Sequence, residues 1–270
     1  MIYFVSTPIG NLGDISLRAL EVLKSVDIIA CEDTRTSLKL LNHHGIRTKL
    51  VAHHKFNEAD SADGLISLSK DGKKIAIISD AGTPALSDPG AILIEKLAKH
   101  KLPFTTIPGA NALLPALQLS GFCSTPFTFL GFLPDKNSQR KNLLDCFATC
   151  PSTLVFYVSP HSMQATLSCI FSSLGARKAC LVKEISKLNE GALHFNLGET
   201  LCSSFTQKGE FVLVVEGRKK EESDLSSLTV LEHVQFYLNL GESKNNAIKL
   251  AAKDRGVKKD VVYQAVINDR

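Results

Sequence analysis

The sequence predicts an α/β protein of two α/β domains followed by a small helical unit at the C-terminus. Three observations predict it. Short β-branched runs alternate with stretches of helical periodicity through the first third. A second strand-bearing segment follows a Pro-Gly turn at residues 108–109. Residues 228–270 carry helix signals alone.

In the first segment, Ile2–Ser6, Asp27–Ala30, Thr48–Val51, Lys74–Ser79 and Pro103–Ile107 read as strands. Ser16–Ser25, Thr34–His43, Ala59–Lys70 and Gly90–His100 place apolar residues at helical spacing between them. Such alternation implies a largely parallel sheet with helices on both faces. An apolar helix, Ala112–Leu119, and Gly121 mark the transition, so the first domain is drawn at 1–120.

The second domain, 121–217, has strands at Phe127–Leu130, Ser152–Val158, Ala179–Lys183 and Phe211–Glu216, with helices near Gln139–Phe147 and Met163–Leu174. Fewer crossovers here point to antiparallel pairs. The charged stretch Gly217–Asp224 reads as a linker. Beyond it, in 228–270, Val230–Leu240 ends at Gly241 and Lys244–Arg255 ends at Gly256. Asp260 is placed to cap Asp260–Ile267, giving a helix–turn–helix-like unit.

Bulk properties narrow the class. Hydrophobic residues are 44% and charged residues 21%, as in a globular protein that buries cores, and a net charge of +4 permits an anionic partner without requiring one. Seven cysteines (Cys31, Cys123, Cys146, Cys150, Cys169, Cys180, Cys202) are scattered without a CxxC pair. They read as buried, reduced thiols of a cytoplasmic protein, with no metal site expected. The N-terminus enters a strand without a basic leader, and apolar runs fall short of a membrane span, so no membrane association is expected.

Ligands of parallel α/β sheets bind where loops leave the carboxyl ends of strands. Ser6–Asp14, after the first strand, combines two glycines and a proline; it can approach a ligand closely or simply start a helix. It is neither a Walker loop nor a dinucleotide fingerprint. Cys31-Glu32-Asp33-Thr34-Arg35 follows the second strand. Its acids and guanidinium suit a reaction site, although Asp33 or Thr34 capping a helix and Glu32 pairing with Arg35 would also explain them.

Ser79–Gly90 holds two carboxylates, two prolines and several small residues, far more than a turn requires. It offers backbone N–H groups and acids to a polar ligand bearing hydroxyls and an amine. In Ile107–Ala112, Gly109 relieves crowding and Asn111 can cap the next helix. Ser159-Pro160-His161 and Lys183–Lys187 follow strands of the second segment; the former is as consistent with helix capping as with chemistry.

These loops, in this order, resemble the RsmI-type 16S rRNA (cytidine-2′-O)-methyltransferases, a branch of the tetrapyrrole methylase superfamily. The matching residues are Thr7–Asp14, Glu32–Arg35, Ser79–Pro84, Ser87–Gly90, Pro108-Gly109 and Gly131–Pro134. The resemblance implies a class III, two-domain α/β homodimer that uses S-adenosylmethionine to methylate a cytidine ribose in the decoding region of 16S rRNA. It places the cofactor on Asp80, Ala81, Gly82, Thr83, Leu86, Ser87 and Asp88, and on Pro108, Gly109, Ala110, Asn111 and Ala112, with Pro8 and Gly10 lining the same cleft. The chain departs from the family's habit at Val158 (often Glu), Ser162 (often Arg), Lys183 (commonly Arg), Ser186 (commonly Thr) and Lys55 (often an acid).

For such a transfer, Glu32 and Asp33 are the candidate proton acceptors and Arg35 would hold a phosphate or orient the acid; Lys187 and His54 are lesser candidates. Within 242–270, Lys244, Lys249, Lys253, Arg255, Lys258, Lys259 and Arg270 stand against Glu242, Asp254, Asp260 and Asp269, leaving +3. Lys249, Lys253, Arg255, Lys258 and Lys259 are the candidate RNA contacts; a merely solvated helical face is the alternative. Two other functions fit less well. The basic tail and the Glu32–Arg35 loop argue against a tetrapyrrole C-methylase, and a non-catalytic ribosome-assembly protein has only the departures at Val158 and Ser162, around Ser159-Pro160-His161, in its favour.

Overall fold

The structure is a computed structural model that describes residues 1–54, 58–199, 201, 208–219 and 228–268. Lys55, Cys202, Arg270 and most of the expected linker lie outside the described residues. The chain divides into two compact units, Met1–Arg218 and Lys219–Arg270.

The first unit holds two five-stranded sheets. One is built from β1 (Ile2–Val5), β2 (Ile28–Cys31), β3 (Lys49–Ala52), β4 (Ile75–Ile78) and β5 (Phe104–Ile107). Its order is β3-β2-β4-β1-β5, all parallel. Strands β2 (IIAC) and β4 (IAII) are buried at every residue, as continuous apolar runs must be when helices cover both faces. The edge strands β3 and β5 are more exposed.

On one face, Ala19 and Leu23 of α1 (Leu17–Ser25) and Leu41 of α2 (Thr34–His43) pack on Val5, Ile29 and Ile78. On the other, Leu65 of α3 (Glu58–Lys70) and Leu93 and Leu97 of α4 (Ala91–Lys99) pack on Ile2, Phe4 and Ile77. Ser16 caps α1 by accepting the Ala19 N–H. The strand order sets the exits of β1, β2 and β4 side by side, with that of β5 next to β1.

The second sheet contains β6 (Phe127–Phe132), β7 (Thr153–Val158), β8 (Lys178–Lys183), β9 (Gly191–Asn196) and β10 (Phe211–Val215), ordered β6-β7-β10-β8-β9. Only β6 and β7 are parallel; the remaining pairs are antiparallel. Its two faces follow the period of two. Phe211, Leu213 and Val215 face the helices α6 (Asn137–Asp145) and α7 (Met163–Leu174), whereas Val212 and Val214 face Ala116 and Leu117 of α5 (Leu113–Leu119). Strand β9, which the sequence pattern does not announce, is an edge strand whose residues alternate between half-buried and exposed.

The cysteine expectation is corrected in part. Cys31 and Cys180 are buried and Cys150 and Cys169 half-buried, but Cys123 and Cys146 are exposed, because one lies in the loop before β6 and the other ends α6 on its outer side.

The second unit comprises α8 (Val230–Asn239), α9 (Lys244–Asp254) and α10 (Lys259–Asn268) around Val234, Ala247, Ile248, Ala251, Ala252 and Val262. Thr229 and Glu232 form a capping box at α8. Helix α10 begins at Lys259, which puts Asp260 in the first turn, favourable to the helix dipole, and not at the cap. No helix among the described residues is long and apolar enough to cross a membrane.

Candidate active site

The loops that leave the first sheet are tied to one another. Thr7 and Gly82 form an antiparallel bridge, with N–H to carbonyl distances of 2.8 and 3.0 Å. Thr7 Oγ1 donates to the Ser79 carbonyl at 3.1 Å, and the hydroxyls of Ser6 and Thr83 share a hydrogen bond of 3.0 Å. Thr83 Oγ1 donates to the Ala110 carbonyl at 3.4 Å. The exits of β1, β4 and β5 thus form one continuous surface.

That surface walls a cavity of about 380 Å³ within the first unit, a size typical of small-molecule sites. Asp80, Ala81, Gly82, Thr83, Leu86, Ser87 and Asp88 line it from the β4 exit, and Asn111 and Ala112 from the β5 exit. Pro8, Gly10, Pro108, Gly109 and Ala110 do not reach it; their neighbour Ile9 does. Gly109 packs against Ser6 so closely that a Cβ there would lie 2.9 Å from the Ser6 Cβ. A Cβ on Gly10 would lie 2.4 Å from Lys187 Cγ. Asn111 Oδ1 also accepts the Leu114 N–H at 2.9 Å, steadying the start of α5.

The second sheet supplies the opposite wall, with Phe132, Tyr157, Val158, Ser159 and Pro160 from the ends of β6 and β7, Ile185 after β8, and Gly209–Val212 at β10. Sequence reasoning misses Tyr157, Ile185 and Gly209–Val212 as site residues. Alternating apolar strands carry no chemical signature; only the exits after Val158 and Lys183 do.

Acids gather on the first-sheet side. Burial raises Asp88 to about 6, helped by the charges of Glu32 and Asp80 and opposed by a hydrogen bond with Ser79. Burial also raises Glu32, with the Asp80 charge adding to it and His54 opposing. Asp80 is raised by burial as well, although the Asp33 N–H opposes it. The three carboxyls form one electrostatic set, in which the charge on each disfavours charge on the others.

Asp33 goes the other way. Its carboxylate caps α2 through the Arg35 N–H at 2.8 Å and binds the Arg35 guanidinium at 2.9 and 3.2 Å, which lowers its pKa. The partner of Arg35 is therefore Asp33 and not Glu32. The guanidinium remains accessible, with 87% of the Arg35 side chain exposed.

Lys187 lies against Glu184 at 3.0 Å and Glu210 at 3.2 Å. Burial disfavours its charge, but the hydrogen bonds to these carboxylates prevail and raise its pKa. The pairing favours the ammonium form of Lys187, which bridges the two carboxylates.

In the second unit, Lys249, Lys253, Lys258 and Lys259 are exposed. Arg255, a candidate RNA contact by charge, turns its Nη1 inward to the Leu228 carbonyl at 2.9 Å and to His233 Nδ1 at 3.3 Å. It holds the helices together. Among the described residues no group of three His, Cys, Asp or Glu side chains is placed to hold a metal ion.

Two α/β sheets meeting at a strand-exit cavity define a methylase fold. Residues 1–201 match the family of Tetrapyrrole (Corrin/Porphyrin) Methylases. The chain is 42% identical over 268 residues to the Ribosomal RNA small subunit methyltransferase I of Halalkalibacterium halodurans, covering 97% of this chain and 93% of the relative. It is 40% identical over 272 residues to the protein of the same name from Bacillus subtilis, covering 98% and 93%. A uroporphyrin-III C-methyltransferase of Thermus thermophilus, solved with S-adenosylhomocysteine, shares the fold with a TM-score of 0.56 at 19% identity, over 80% of this chain and 96% of that one. The chain belongs to the tetrapyrrole methylase family and, within it, to the Ribosomal RNA small subunit methyltransferase I proteins.

Proposed function

We propose that the cavity binds S-adenosylmethionine and presents its methyl group to the 2′-hydroxyl of a cytidine in the decoding region of small-subunit ribosomal RNA. The chain is a methyltransferase of small-subunit ribosomal RNA, as its near-full-length relatives are named. One observation carries the placement of the donor: a carboxylate-bearing loop, Asp80–Asp88, faces an apolar wall across a cavity of about 380 Å³. The residues present fit that group. Asp80 and Asp88 suit its cationic end and hydroxyls, while Val158, Phe211 and Val212 suit an aromatic base. Pro8, Gly10, Pro108, Gly109 and Ala110 shape the wall from behind.

When bound, the donor supplies an electrophilic methyl group on a positively charged sulfur, which passes in line to a nucleophilic oxygen. The chain's own part is positioning and proton handling. The loops fix the acceptor oxygen on the axis of transfer, and the apolar wall excludes water. Glu32, its pKa raised by burial and its charge coupled to those of Asp80 and Asp88, accepts the hydroxyl proton. Arg35, anchored on Asp33 yet exposed, binds a phosphate beside the target. Lys249, Lys253, Lys258 and Lys259 attract the RNA backbone. The protein acts in the cytoplasm as a homodimer.

The test is incubation with labelled S-adenosylmethionine and small subunits lacking the mark. Label should appear in 16S rRNA as an alkali-resistant dinucleotide, since a 2′-O-methyl group blocks hydrolysis at that linkage. Label on a base, or none in RNA while the donor binds, refutes the reading. Glu32→Gln should lower kcat about 100-fold and leave the donor's Kd unchanged.

A further inference from the structure

The sequence Gly131-Phe132 does something unusual at the mouth of this cavity. Along a regular strand, side chains three apart point to opposite faces. In β6 the pairing with β7 slips between Phe129 and Gly131, a bulge that adds a residue and re-aims the side chains beyond it. Consequently Phe129 and Phe132 both contact the Tyr157 ring, at centroid distances of 4.9 and 5.4 Å.

Gly131 makes the bulge feasible: its φ is +61°, and a Cβ there would meet Ser87 Oγ at 3.0 Å. The outcome is a phenyl ring that lines the cavity while 58% exposed. Leaving so much aromatic surface in water is unfavourable for the free protein. The ring leans on Tyr157 at an interplanar angle of 59°, and more than half of its surface is open to solvent.

We infer that Phe132 is the stacking platform for the base of the target nucleotide, holding it at the rim while its ribose reaches into the cavity. RNA-modifying proteins that read single nucleotides stack unpaired bases on aromatic rings. The rim position favours the incoming RNA over the donor, because a buried apolar wall of Val158, Phe211 and Val212 already stands deeper in the site. The inference rests on the reading of the cavity as an RNA ribose methylation site.

The experiment uses the full-length protein with unmarked small subunits and compares Phe132→Ala, Phe132→Leu and Phe132→Tyr. Phe132→Ala should lower kcat/KM for the subunit by about 10- to 100-fold, mainly through KM, with the calorimetric Kd for S-adenosylhomocysteine unchanged. Phe132→Leu, apolar but without a π face, should fail similarly, and Phe132→Tyr should restore most of the loss. An unchanged kcat/KM in Phe132→Ala, or full activity in Phe132→Leu, overturns the platform. Weakened S-adenosylhomocysteine binding with an unchanged subunit KM overturns it too, by giving the ring to the donor. Wild-type protein that transfers nothing to the subunits removes the reading beneath it, a result distinct from any of these.

Discussion

The backbone N–H of Asp33 donates to Asp80 Oδ1 at 3.1 Å, joining the exit of β2 to the exit of β4. The same Asp33 turns its own carboxylate back to cap α2 and hold Arg35. One residue thus orients an acid of the cavity with its main chain and a helix with its side chain. Asp33→Asn keeps a capping oxygen and should preserve both stability and donor binding. Asp33→Ala removes the cap of α2 and should lower the urea unfolding midpoint. A large loss of methyl transfer in Asp33→Asn would instead make the carboxylate a participant in the reaction.

Asp88 stands at about 6 in the folded protein, against an ordinary value of 3.8. The folded state therefore binds this proton more tightly than the unfolded chain. The resulting stability is fully present below about pH 4 and is lost as pH rises through 6. Asp88→Asn should stabilise the free protein at pH 7.5 by about 1 kcal/mol, reduced from the full effect because the carboxyl is partly exposed. The gain should shrink at pH 5. Donor affinity should move oppositely: weaker in Asp88→Asn, and falling in the wild type as pH drops below 6. Thermal melts and calorimetry at the two pH values check both signs.

The first sheet is legible in the sequence because its inner strands β2 and β4 are fully apolar and its loops carry the polar and small residues. Ser79–Gly90 announces a site by composition alone. The far wall is not legible, since Tyr157, Phe211 and Val212 are ordinary strand residues until β7 and β10 bring their ends to the cavity. Strand β9 escapes because Gly191–Asn196 pairs on one side only and carries no β-branched residue. The roles of Arg35 and Arg255 depend on partners two and 22 to 27 residues away, which charge counting does not reveal.

Lys187 sits between Glu184 and Glu210, its stem filling the space that the missing side chain of Gly10 leaves open. Lys187→Met keeps the apolar stem and removes the charge. It should cost about 1 kcal/mol near neutral pH, because it leaves the two carboxylates without their shared cation. The alkaline limb of the pH–rate profile should stay where it is. Its displacement would show that the ammonium takes part in proton transfer after all.

The second unit separates attraction from architecture. Lys249, Lys253, Lys258 and Lys259 are exposed, whereas Arg255 bonds inward to Leu228 and His233. Replacing the four lysines with Gln should weaken binding to small subunits and reduce the slope of log K against log salt, by about 0.7 to 0.9 for each phosphate that is no longer neutralised. Folding and donor affinity should be unaffected. Arg255→Gln should lower the melting temperature of the tail and change the salt slope little, because the interactions it removes are internal. Truncation after Arg218, where the first compact unit ends, should retain the donor's Kd while abolishing the tail's share of the salt dependence. A salt slope identical in the wild type, the four-lysine variant and the truncated protein would assign RNA attraction to the first unit and leave Arg35 as its leading cation.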